Sequence, residues 1–88
     1  GKIKTFHRTI VKKTTFSLEN VIDLTFRNKG TATATIFEDM EVLTNEVVGV
    51  SYPNGLPYRN GARKGGCLID FGAGTKKLSI LYQMYVED

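Results

Sequence analysis

Cysteine and histidine each occur once in this sequence, as Cys67 and His7, and tryptophan not at all. One cysteine excludes an internal disulfide, and one histidine with one cysteine cannot assemble the usual zinc ligand sets. There is no apolar run long enough to cross a bilayer, no secretory hydrophobic region near the start and no Asn-X-Ser/Thr acceptor. A small chain without a disulfide fits a reducing compartment or a particle assembled in one, so the expected location is a virion or the cytoplasm. Proline is scarce: both residues, Pro53 and Pro57, fall in one stretch.

Catalytic groups are equally sparse. His7 stands in a basic segment with no nucleophile or orienting acid near it in sequence, the pattern of a surface or partly buried side chain. Cys67 alternates with Ile69 and Phe71 and is expected inside, as unbonded cysteines usually are. Glu38, Asp39 and Glu41 form the one carboxylate cluster, but without the spacing of a calcium loop, and read as an acidic turn. Gly72-Ala73-Gly74-Thr75-Lys76-Lys77 lacks both the third glycine of the dinucleotide fingerprint and the Gly-Lys-Ser/Thr order of the P-loop, and reads as a turn. The expectation is a protein that is not an enzyme, with no catalytic residue, cofactor, metal or small-molecule substrate.

What the sequence does contain is strands. Ile22, Leu24 and Phe26 alternate with Asp23, Thr25 and Arg27, and after Asn28-Lys29-Gly30 the residues Ala32, Ala34 and Ile36 alternate with Thr31, Thr33 and Thr35. Period-two alternation marks strands with one buried face. The loop predicts a β-hairpin over Val21–Phe37 with a left-handed Gly30, Phe26 opposite Ala32 and Leu24 opposite Ala34. A second hairpin is predicted over Cys67–Val86, with Ile69 opposite Leu78 and Cys67 opposite Ile80. Residues 1–16 read as one basic strand or arm, at a sheet edge or paired with a neighbour. Two short strands are expected at about Glu41–Leu43 and Glu46–Tyr52, in preference to a short helix.

Eighty-eight residues with 41% hydrophobic content make one domain, residues 1–88. The expected fold is all-β, a small antiparallel sandwich or barrel of about six to eight strands built on two hairpins. Charge is laid out in blocks: +5 over residues 1–30, −4 over 31–55, +4 over 56–80 and −2 over the last eight, for a net +3. Such blocks allow head-to-tail attraction between copies unless the fold mixes them.

Residues 53–66 form a long loop with four of the nine glycines. Long irregular loops in small domains are often functional. Tyr52, Tyr58, Arg59, Arg63 and Lys64 combine aromatic and basic groups here, and are the expected partner-binding residues. The mixture suits a protein contact, where Tyr and Arg are enriched, and in an alternative reading nucleic acid, with aromatics stacking on bases and Arg59, Arg63, Lys64, Lys12 and Lys13 on phosphates.

The run from Asp23 to Ile36, a strand, an Asn-x-Gly turn and a Thr/Ala strand, resembles a hairpin of immunoglobulin-like β-sandwich modules. Together with the long Gly/Pro/Tyr loop and the lack of disulfides, the chain also resembles minor structural proteins of bacteriophage virions, such as capsid decoration, connector and tail components. The resemblance implies a structural, interacting protein that assembles with itself or a larger complex. It assigns no site residues.

Overall fold

Alternation of apolar and polar residues, rich in Thr, Val, Ile and Phe, produces strands throughout. In the computed structural model, residues 1–51 and 66–87 are described. Among them are eight strands and no helix: β1 (Lys2–Ile10), β2 (Thr14–Phe16), β3 (Val21–Asn28), β4 (Ala34–Ile36), β5 (Met40–Val42), β6 (Val47–Ser51), β7 (Cys67–Phe71) and β8 (Leu78–Val86). They form two antiparallel four-stranded sheets, β1-β8-β3-β6 and β2-β7-β4-β5. The molecule is a small β-sandwich rather than a barrel.

The inward parity is as the alternation predicts. Leu24, Phe26, Ala32, Ala34, Ile36, Cys67, Ile69, Leu78 and Ile80 are all buried between the sheets, joined by Ile10, Phe16, Leu18, Val21 and Val42. Ile22 is the exception. A register shift between Val21 and Asp23 turns Val21 inward in its place.

Pairing is not as predicted. The strands expected to form the first hairpin lie in different sheets: β3 pairs with β6 and β8, and β4 pairs with β5 and β7. Phe26 therefore stands between Val48 and Ile80, not opposite Ala32. The second expected hairpin fails in the same way, with β7 in one sheet and β8 in the other. Both connections are arches across the sandwich. An arch and a hairpin bury the same parity of each strand, so alternation cannot tell them apart. Gly30 also lacks the left-handed φ expected of it. Its place is set by crowding, since a β-carbon there would run into the backbone of Thr75 and Lys77.

Residues 1–16 likewise divide. The chain leaves the first sheet after Ile10 and enters the second at Thr14. Of the seven steps along the chain only β4–β5 stays within one sheet; each of the others joins a strand of one sheet to a strand of the other, and the result is two sheets with orders 1-8-3-6 and 2-7-4-5. That is the strand order of an eight-stranded jelly roll. The immunoglobulin sandwich, with its first four-stranded sheet in the order 1-2-5-4, is a different arrangement.

The arches support each other. Lys29 N–H donates to Lys77 O at 2.9 Å, Thr31 and Ala32 N–H both donate to Thr75 O at 3.0 Å, and Gly72 N–H donates to Thr33 O at 2.9 Å. Beneath them lies Asn28, fully buried. Its Nδ2 donates to Ala32 O and Val42 O, both at 2.8 Å, and its Oδ1 accepts from Gly30 N–H at 2.9 Å.

Candidate interaction surfaces

β1 has the sequence Lys-Ile-Lys-Thr-Phe-His-Arg-Thr-Ile, and Ile10 alone of its nine residues is buried. The cause is position. β1 is the end strand of its sheet and pairs along its whole length with β8, while its other side carries no strand among the described residues. An end strand presents a row of backbone donors and acceptors to any partner strand. On its inward parity, Phe6 stacks on Tyr82 with ring centroids 5.6 Å apart, Tyr82 meets Phe16 edge-on at 4.9 Å, and the Arg8 guanidinium lies 5.7 Å from the Phe16 centroid. These contacts fix β1 in place while leaving Phe6 37% and Ile3 57% exposed.

The outer face of the same sheet is read across its four strands in rows. One row is His7, Leu81, Thr25 and Gly49, and the next is Thr9, Ser79, Arg27 and Val47. With no side chain at Gly49 and small ones at Thr25 and Ser79, the face holds an open depression of about 470 Å³ lined by His7, Thr25, Arg27, Lys29, Val47, Ser79 and Leu81. His7 Nε2 and Ser79 Oγ are 2.8 Å apart. A base beside a hydroxyl is the first requirement of a nucleophilic pair, but the pair also needs a group that orients the imidazole. No such hydrogen bond to Nδ1 occurs among the described residues, and Ser79 is itself buried. The contact satisfies a buried hydroxyl.

The outer face of the second sheet is more acidic. Thr35 lies between Glu41 and Asp70 in one row, and an open depression of about 400 Å³ is lined by Thr35, Glu38, Leu68, Asp70, Phe71 and Gly72. Glu38, Asp39 and Glu41 belong to the β4–β5 turn and β5, where Phe37 and Glu38 take left-handed φ of 51° and 73°. No group of three His, Cys, Asp or Glu side chains arranged to hold a metal occurs among the described residues.

Tyr52, Tyr58, Arg59, Arg63 and Lys64, the residues singled out from the sequence, lie outside the described residues. Their stretch leaves β6 at Ser51, opposite Asp23, and returns at Gly66, whose φ of 80° sets it against Phe16 O. Cys67 is fully buried.

Sequence reasoning singled out Lys12 and Lys13 but missed their convergence with Lys29, Lys76 and Lys77. Leu78 pairs with Ile10 on one side and Asn28 on the other, so β1, β8 and β3 finish at one level. Lys12 and Lys13 follow the first, Lys76 and Lys77 precede the second, and Lys29 follows the third. The signal was available once strands were counted: in an up-and-down antiparallel chain, the first, third, fifth and seventh connections share one end. No protein-family model, curated protein or solved structure matches the chain.

Proposed function

We propose that this chain is a structural protein that works by assembling, with copies of itself or within a larger complex, and not by catalysis. The observation that carries the reading is β1, a nine-residue end strand exposed along nearly its whole length. Natural sandwiches keep such edges short, bulged, covered or charged, and β1 is neither short nor covered among the described residues. Lys2, Lys4 and Arg8 place positive charge along it, which disfavours pairing of β1 with a second β1 and favours a partner strand bearing carboxylates.

A virion is the setting we favour, with a bacteriophage decoration, connector or tail component as the form it takes. The support is an analogy of fold: eight-stranded jelly rolls serve as viral capsid domains, although lectins and cupins use them as well. The test is native mass spectrometry and sedimentation of the purified chain at near-physiological ionic strength, with the 260 to 280 nm absorbance ratio read on the same sample. A discrete oligomer or a concentration-dependent polymer is expected. A monomer at every concentration, with no partner recovered from the source organism's particles, would end the proposal.

A further inference from the structure

We infer that the end of the sandwich formed by residues 11–13, 29–33 and 72–77 binds the phosphate backbone of nucleic acid. Five lysines, Lys12, Lys13, Lys29, Lys76 and Lys77, are exposed there. They come from three connections far apart in the chain and are brought together because β1, β8 and β3 are neighbours ending at one level. Neighbouring strands lie about 4.8 Å apart, so the row spans about 10 Å. Phosphates along one strand of a duplex advance about 3.4 Å per nucleotide, which puts about four within the row's reach.

The charge is not cancelled locally. Asp70 is 3.8 Å from Lys13 Nζ, and Glu46 accepts from Leu43 N–H at 3.2 Å. With Glu41, which shares a row with Asp70 across Thr35, five lysines stand against three carboxylates and leave +2. Glu19, Asp39 and Glu87 lie toward the other end, while Glu38 lines the depression beside Asp70 and Gly72. The platform is also pre-organised, because the hydrogen bonds between residues 29–33 and 72–77 fix the backbone from which Lys29, Lys76 and Lys77 project. Gly, Ala and Thr fill the rest of those two connections, so little stands between the backbone and a close-lying polyanion.

The ligand class follows from what accompanies the lysines. Residues 11–13, 29–33, 43–46 and 72–77 include no aromatic side chain and no arginine. Base stacking is thereby absent from these connections, and the lysines are placed to meet phosphate without regard to sequence. A second copy of the chain docked by its acidic end would instead show as a salt-sensitive oligomer that binds no nucleic acid. A lipid surface fits less well. Val11 and Leu43, 59% and 52% exposed, follow β1 and β5 on opposite flanks and give the lysines no central apolar tip.

The test is fluorescence anisotropy with two labelled probes, an oligothymidylate of about 20 nucleotides and a mixed-sequence duplex of about 20 base pairs. Both should bind, and affinity should fall about a hundredfold between roughly 50 and 200 mM salt if four phosphates are contacted. The combined variant Lys12→Gln, Lys29→Gln, Lys77→Gln should lose at least tenfold in affinity and about three in the salt slope. Arginine at the same three positions should restore both. The variant Arg59→Gln, Arg63→Gln, Lys64→Gln should bind as the parent does. Absence of binding at low salt would overturn the inference, as would binding lost only in the Arg59 variant, or capture of phosphatidylserine vesicles without capture of either probe.

Discussion

Asn28 shows how much one side chain can hold. It is fully buried, and its amide joins three backbone groups from Gly30, Ala32 and Val42. Two of those are carbonyls, so only a group with two protons to donate can serve both. Asn28→Ala leaves three buried polar groups unpaired and should cost about 2–4 kcal/mol in urea denaturation. Asn28→Asp should cost at least as much, because a carboxylate would face the two carbonyls without a proton to give. An aspartate variant as stable as the parent would show that the amide protons do not matter. The two glycines at Gly30 and Gly49 make a second pair. A β-carbon at Gly30 meets backbone that cannot yield, whereas one at Gly49 meets nothing within 4 Å. Gly30→Ala should therefore destabilise by about 1–3 kcal/mol, and Gly49→Ala should stabilise by about 0.5–1 kcal/mol. The same denaturation curves check both.

At the scale of the element, β1 is the strand to alter. Successive residues of an end strand alternate between a N–H that pairs inward and one that points to the open side. Of the neighbouring variants Thr5→Pro and Phe6→Pro, one should weaken the β1–β8 ladder and lower the melting temperature. The other should melt within a few degrees of the parent but fail to assemble by sedimentation. If both assemble normally, the open edge of β1 is not the contact. Removing β1 altogether is a poorer test, since β8 would lose its nine-residue neighbour and Ile10 its buried place. The strands themselves were legible in the sequence, because burial on one face imposes a period of two wherever it occurs. Their partners were not. Phe26 opposite Ala32 is as consistent with the alternation as Phe26 between Val48 and Ile80, and the choice depends on residues more than twenty positions away. Asn28 and Gly30 were read as a turn, and they are one, but a turn between sheets.

On the scale of the whole molecule, the last strands complete both sheets. β8 lies between β1 and β3, and β7 between β2 and β4. A chain cut after residue 66 should thus show no cooperative unfolding by circular dichroism, while the full chain should refold in milliseconds to seconds, as sandwiches with distant pairings do. A cooperative transition in the shortened chain would contradict the interlock. The lysine platform belongs to this scale as well. No local window of sequence contains it, since its members come from three connections and meet only because the strand order places them side by side. The Tyr52–Lys64 group was conspicuous in sequence for the opposite reason, being contiguous. The interleaving of first and last strands also has a consequence in time. During synthesis, β1 to β6 emerge before either strand that will occupy the middle of their sheets. The nascent chain must carry Phe16, Leu24, Phe26 and Ile36 unburied until Ile80 has left the ribosome, so its survival through translation depends on something else, a chaperone or simple speed, keeping those strands from pairing with a neighbour on the same message.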